Sequence, residues 1–584
     1  MSNGAWKLTG PHAWALRRLP ATAILALAAY ALHAQSAVPA GTVEHSLATD
    51  ILTPDADHYG TVNVAMDSWI YPALERLAAL GYIPSQNVSI RPWTRQECLR
   101  QLRQAQDVFG SSATDEPTDR EAEPLINDLL RELNGDRGGL TLEAVYVRAG
   151  TIAGTALNDS FHFGQTWRDD YGRPFATGTG GIAGYSLRAN SGRFFFHVRQ
   201  EVQQVPGAPG ITPAHSILYN QLDGTPAFGS GPPPPAFATV PPSAAYTRQT
   251  PLLLYAGVAF AGNALSFGKQ ELFWGPSSAP WSFSSNAEPT WNLRLNATRP
   301  HPFPFLPQLG TYKFDLVIGK LSGHKYPARP YFNGQKVDLT FGSNLELSVT
   351  RWSLLWGEGH PMTLGSLKSN LFSTQSTGVT YGYGERTDPG DRKSDFDLRL
   401  HVPGLRKQVT IYADAFADDD LNPIDAPRRC AWITGLYLPR LPLAPHMDFR
   451  FEMNSSEELS QDEGLARPLF INNQYRDANT NKGFLLGNAV GRDGRAFEGK
   501  LGYWQTARTR YEVGYRQTKI SPLFLPVGGT ISDAFGKASL HFRRDWTADV
   551  FVQHERWLIP VDTPGIHTNA SARLTILWTP NRHL

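Results

Sequence analysis

Three tryptophans, Trp274, Trp281 and Trp291, share one short stretch with Asn286 and Glu288. Flat aromatic faces can stack on the C–H faces of sugar rings, while amide and carboxylate groups bind the surrounding hydroxyls. A second polar and aromatic stretch, His324, Lys325 and Tyr326 with Arg329, follows the apparent strand Tyr312–Leu321. Outside a cell it could contact an acidic polysaccharide, and a basic rim would suit one. Each group also has a plainer reading. Barrel tryptophans ordinarily anchor at the membrane interface, and polar loop residues need no ligand. The plainer reading takes precedence for both. Gly268, Gly275 and Pro276 are read as shaping a turn between strands.

An acidic loop, Ala417 to Arg429, offers another chemistry. Asp418, Asp420 and Asp425, with Asp419 and Asn422, could give oxygens to Ca²⁺, which takes six to eight hard ligands. The loop lacks the glycine placement of an EF-hand, so a solvated charged turn is the ordinary explanation. No His-Glu-x-x-His, Gly-x-Ser-x-Gly or Gly-x-x-x-x-Gly-Lys motif occurs. Scattered carboxylates could be paired on paper as a glycosidase dyad, but barrel interiors carry such residues anyway. We therefore expect a binding protein, not an enzyme, with no cofactor.

The elements that must hold these residues are mainly strands. Met447, Phe449, Phe451 and Met453 alternate with Asp448, Arg450, Glu452 and Asn454. Phe396, Leu398, Leu400 and Val402 alternate with Asp395, Asp397, Arg399 and His401, and Val337, Leu339 and Phe341 with Lys336, Asp338 and Thr340. A strand sends successive side chains to opposite faces, so each segment has one apolar and one charged face. Recurring over most of a long exported chain, the pattern predicts a transmembrane antiparallel β-barrel. Hairpins are legible around Arg544-Asp545 and between Tyr503 and Tyr511. A last strand, Ala572 to Trp578, ends in an aromatic but is followed by Thr579 to Leu584.

Composition agrees. Among 584 residues, 54 are Lys or Arg and 53 Asp or Glu, a formal charge of +1 that gives no reason to expect nucleic acid. A mean hydropathy of −0.32 argues against a helical polytopic membrane protein but not a barrel. Cys98 and Cys430 form neither a disulfide framework nor a metal motif.

The chain divides into four parts. Residues 1–34 read as a cleaved signal peptide: Arg17 and Arg18 precede an apolar run from Ala21 to Leu32. Residues 35–66 form an extended segment, 67–137 a helical bundle and 138–584 the barrel. In the bundle Pro72 marks a helix start and Gly81 a stop. Thr94 to Glu97 and Thr118 to Glu121 match capping boxes. Residues 205–245, rich in Pro, Gly and Ala with Pro232 to Pro235 consecutive, cannot continue a ladder and are placed as an extracellular loop.

The block from Ser266 to Asn296 is the most distinctive. It contains Phe267-Gly268-Lys269-Gln270, Phe273-Trp274-Gly275-Pro276 and Ser284-Ser285-Asn286-Ala287-Glu288-Pro289. With Gly483 to Asn488, Gly491-Arg492-Asp493 and Asp67 to Pro72, it resembles the capsule assembly Wzi family. The resemblance implies an outer-membrane barrel of about 18 strands, within the bacterial range, with its helical bundle on the periplasmic side. It also implies a surface lectin that binds and anchors capsular or exopolysaccharide during capsule assembly. Its partners would be that polysaccharide, outer-membrane lipid and the polysaccharide export machinery. The alternative is a porin-like channel for oligosaccharides or small solutes, distinguished by an open lumen.

Overall fold

The computed structural model describes residues 59–111, 118–133, 138–224, 238–372, 385–418, 423–424, 427–457, 467–470, 472 and 474–584. The signal segment, Gly135, the Pro232 to Pro235 run, and Asp419, Asp420, Asn422 and Asp425 lie outside them.

Eighteen antiparallel strands close into one barrel. They are β1 Gly139–Gly154, β2 Gly178–Ser191, β3 Phe194–Val205, β4 Tyr246–Phe260, β5 Asn263–Gln270 and β6 Thr290–Ala297. Next come β7 Gly310–Lys320, β8 Tyr331–Phe341, β9 Leu345–Leu355, β10 Asp391–His401, β11 Thr410–Asp418 and β12 Cys430–Leu438. The last six are β13 Met447–Ser455, β14 Gly494–Trp504, β15 Arg510–Ile520, β16 Gly529–Arg543, β17 Trp546–Ile559 and β18 Thr563–Trp578. β18 closes on β1 with Trp578 opposite Val145. Beyond that aromatic the chain does not leave the wall, because Arg582 and His583 pair with Leu142 and Thr141.

The period-two reading holds. In β13, Asp448 and Glu452 are buried inward and Met453 is exposed outward. In β8, Lys336, Asp338 and Thr340 are buried while Val337 faces out. Among the described residues no helix is long and apolar enough to cross a membrane. Closure of the barrel leaves its ladders without a free edge.

The barrel has two unlike ends. One carries tight turns, such as 192–193, 261–262, 342–344 and 544–545. The other carries the long connections 155–177, 206–245, 271–289, 356–390 and 456–493. Three helices cover the tight-turn end: α1 Ile70–Ala79, α2 Arg95–Ser111 and α3 Asp119–Leu133. Their apolar faces share one core with Trp504 and Ala507 at a barrel turn. Arg76 in α1 ties the bundle down. It donates to the carbonyls of Pro439 (3.1 Å) and Pro445 (2.9 Å) and to Glu121 of α3 (2.9 Å). Gly81, at φ +97°, ends α1 as its position in the sequence implies.

One local expectation changes. Thr94 caps α2 by accepting from the Glu97 N–H at 3.1 Å. The Glu97 carboxylate does not complete the box, because Arg100 and Gln101 take it as acceptor in a buried cluster. A charged partner inside the core outbids a backbone N–H. The stretch 205–245, read as a loop between strands, contains a helix of its own. This is α4 Pro213–Asp223, capped by Thr212 and stopped by Gly224 at φ +62°. A further helix, α5 Leu364–Phe372, lies in the connection 356–390.

Candidate functional site

The connection 271–289 turns inward and fills the lumen. Its backbone reaches the walls on several sides: the Ser278 N–H donates to Glu452 (2.8 Å) and the Trp281 N–H to Asp414 (3.2 Å). Ser282 donates to Asp395. Trp274 is fully buried and its indole N–H donates to Asp315 at 2.7 Å. Around Trp274, Trp281 and Phe283 the lumen wall is itself apolar, with Phe332, Trp352, Leu354, Phe416 and Ile433. Here the inward face is not polar, because it meets a protein plug and not water. From the tight-turn end, the segment before α2 rises to meet the plug. Ile90 and Arg91 pair with Trp274 and Phe273, and Arg91 donates to the Gly275 carbonyl at 2.8 Å. Gly275, at φ +141°, holds this corner, in keeping with its reading as a turn residue.

Asn286 knots three long connections. Its side-chain oxygen accepts from the Asp169 N–H at 3.3 Å, and its side-chain amide donates to the Leu485 carbonyl at 3.0 Å. Its own carbonyl accepts from the Gly172 N–H at 2.9 Å. Ser284 closes the lock from the other side, its N–H donating to the Leu486 carbonyl at 2.8 Å. Gly487 packs so closely there that a Cβ would lie 1.8 Å from the Trp281 carbonyl oxygen.

Just outside the knot, Glu288 sits among cations. Lys269 and Lys482 bond one carboxylate oxygen, Lys482 at 2.8 Å, and Arg248 approaches the other at 3.7 Å. Burial pushes this carboxyl up, but Lys269 and Lys482 override it and hold the group below its ordinary value. One carboxylate against three cations leaves a local positive excess, and Lys482 is exposed.

The hairpin at Thr480–Leu485 carries this cluster to the connection 321–330. Asn481 donates to the Glu288 carbonyl (2.8 Å) and accepts from the Ser322 N–H (3.0 Å). His324 is buried and bonds the Thr480 carbonyl at 2.7 Å; burial pulls its basicity down. Asp477 accepts from the N–H groups of Lys325 (2.9 Å) and Tyr326 (2.6 Å), and so fixes the turn that displays them. Lys325 and Arg329 are exposed and Tyr326 is half-buried.

The structure thus brings Asn286, Glu288, His324, Lys325 and Tyr326 together at the long-connection end. It does not bring the tryptophans there. Trp274 and Trp281 are buried in the plug, and Trp291 lies on the outer wall beside Phe267, ring centroids 6.3 Å apart. Of the Ca²⁺-ligand candidates in the acidic loop only Asp418 is described, and it pairs with the buried Lys393. Sequence reasoning missed Lys269, Lys482 and Arg248, which have no spacing signal because three separate elements supply them. It also missed Asp395, Asp397 and Asp414, whose carboxylate oxygens lie within 4.8 Å of one another. Asp395 and Asp414 hold the plug through Ser282 and the Trp281 N–H, while Lys336 and Ser348 of the wall bond Asp397.

Between bundle and plug lies a cavity of about 270 Å³. Asp67, Glu75, Arg91, Arg450, Lys500 and Arg510 are among its lining residues, and Glu75 pairs with Arg450 at 2.6 Å.

A model of the capsule assembly protein Wzi family matches residues 148–571. The solved structure of Escherichia coli Wzi superposes at a TM-score of 0.62 with 15% identity, covering 90% of this chain and 100% of that one. That protein is an outer membrane protein involved in group 1 capsule assembly and a carbohydrate-binding β-barrel. Acinetobacter baumannii OccAB4 superposes at 0.38 with 10% identity over 76% of this chain and 99% of that one. Pseudomonas aeruginosa OprD does so at 0.37 with 9% identity over 76% and 95%. No curated protein sequence matches the chain.

Proposed function

The chain belongs to the capsule assembly Wzi family, and from that premise we propose that it is a surface lectin of the outer membrane. It binds capsular or exopolysaccharide and anchors it to the cell during capsule assembly. The bundle faces the periplasm and the long connections face outward, as long loops do in bacterial barrels. The observation that carries the reading is the convergence of Lys482, seated on the buried Glu288, with Lys325, Tyr326 and Arg329 of connection 321–330 at the outward end of a plugged lumen, where Arg329 lies 3.5 Å from Glu358.

The mechanism is adsorption. Exposed ammonium and guanidinium groups meet acidic groups of a repeating glycan, and Tyr326 offers a ring edge beside them. Each contact is weak at the surface, but a polymer engages many copies at once and avidity follows. Adsorption needs no acid–base pair and no cofactor. The filled lumen favours this over a porin, which needs an aqueous path. The polysaccharide export machinery is the expected partner upstream of the lectin.

The test is a triple variant, Lys325→Ala, Arg329→Ala and Lys482→Ala, in cells that make an acidic capsule. We expect normal barrel insertion, a several-fold fall in retained polysaccharide and a matching rise in polysaccharide shed to the medium. Unchanged retention would remove the ridge from the function.

A further inference from the structure

α5 faces the wrong way for a helix resting on a soluble protein. Such a helix turns its apolar stripe to the core. Here Ser366 and Asn370 are buried, while Met362 just before the helix, Leu364 and Phe372 are 58%, 86% and 77% exposed.

The surface beneath it explains the inversion. In β8 and β9 the inward residues are Phe332, Lys336, Thr350 and Trp352, which meet the plug or one another. Asn333, Gln335, Arg351 and Ser353 therefore point outward, on the wall that faces lipid. The register sets them in rows. Asn333 lies opposite Ser353 and Gln335 opposite Arg351, and the next rows are Val337 with Val349 and Leu339 with Leu347. The outer wall thus changes from apolar to polar between Val349 and Arg351. α5 covers the polar part. Asn333 donates to the Asn370 side chain (2.8 Å), which donates to Ser353 (2.7 Å), and Arg351 donates to the Leu371 carbonyl (2.8 Å). Trp356 donates to Ser366 at 2.8 Å.

On the neighbouring strand β7 the residues opposite Gln335 and Asn333 are Leu316 and Ile318, so the apolar belt continues at this level beside the helix. Polar groups on a lipid-facing wall would be left unsatisfied by hydrocarbon. The helix satisfies them and presents Met362, Leu364 and Phe372 in their place, with Lys368 exposed between the last two and long enough to reach the headgroups.

We propose that α5 is a lipid-contacting helix: its polar side seals a polar patch on the outer wall of β8 and β9, and its apolar side sits in the outer leaflet. The occupant is the acyl region of the membrane, because the exposed face is continuous with the belt formed by Leu316, Val337 and Val349. Interfacial helices elsewhere work the same way, with apolar residues sunk below the headgroups. The proposal rests on the outer-membrane reading above.

The test places a nitroxide at Leu364→Cys and Phe372→Cys in the full mature chain, with Cys98 and Cys430 replaced by alanine. The protein is reconstituted in vesicles of phosphatidylethanolamine and phosphatidylglycerol. Collision with dissolved oxygen, which concentrates in hydrocarbon, is compared with collision with a water-soluble nickel chelate. Val349→Cys serves as the belt control and Leu523→Cys as the loop control. The expected oxygen-to-nickel ratio at Leu364 and Phe372 matches that at Val349 and is several-fold above that at Leu523. A ratio like that of Leu523, with Val349 still protected, places α5 in water and overturns the proposal alone. Exclusion of both reagents means protein covers the face, which also overturns it. Nickel access at Val349 itself would overturn the membrane reading together with it.

Discussion

At the scale of single residues, the outer connections are held by a few buried polar groups with no slack. His162 shows how charge does this. Its ring lies between Asp159 (2.7 Å) and Asp223 (3.2 Å), and Asp223 also pairs with Arg492 at 2.5 Å. The imidazole therefore ties connection 155–177 to α4, and Asp223 carries the tie on to Arg492 in connection 456–493. Burial pulls its basicity down, but the two carboxylates outweigh burial and raise it to about 9. The folded value lies above the unfolded 6.5, so the latch stabilises fully below the unfolded value and is lost as pH rises through about 9. We expect the outer connections to become protease-sensitive over that alkaline window, and His162→Gln to abolish the change. Cleavage independent of pH in the native chain would rule the latch out. The sequence showed Asn286 and Glu288 inside a distinctive block. It could not show their partners, because Asp169 lies 117 positions away from Asn286 and Leu485 lies 199 away.

At the scale of elements, helix ends were legible where their signals are local. Thr94 and Gly81 act as read. α4 also carries local signals, Thr212-Pro213 and Gly224, but a surrounding stretch rich in proline and glycine masked them. α5 was illegible for a different reason: its apolar side faces outward, so the pattern of its residues has the opposite meaning from usual. The bundle itself hangs on Arg76, which is buried and also lies over the Trp504 ring at 5.0 Å. Arg76→Ala strands the buried Glu121 and two turn carbonyls, a loss on the order of 3–5 kcal/mol. We expect the bundle to be digested by trypsin at a temperature where the barrel still migrates as a folded species. Equal resistance of bundle and barrel would show that the apolar faces alone suffice.

At the scale of the whole molecule, the decisive feature is a closed wall around a plugged interior. The wall was predictable, since its alternation needs only lipid on one side. The interior was not, since Trp352 and Phe416 point inward against that alternation. Gly487→Ala tests the plug directly, because the added Cβ meets the Trp281 carbonyl at an overpacking cost of about 1–3 kcal/mol. We expect the parent protein to be electrically silent in planar bilayers and the variant to show flickering conductance. Steady current through the parent would favour the channel reading over the lectin.

By itself the sequence determined the strands, the bundle and the membrane they imply. Periods of two and of about 3.6 are written among near neighbours, and water or lipid reads them without further help. Only the tertiary structure decided that a connection rich in tryptophan would enter the barrel, that one helix would turn its apolar side outward, and which cations would surround Glu288. Those choices depend on what lies across a closed cylinder from each side chain, and opposite walls of a cylinder belong to segments far apart along the chain.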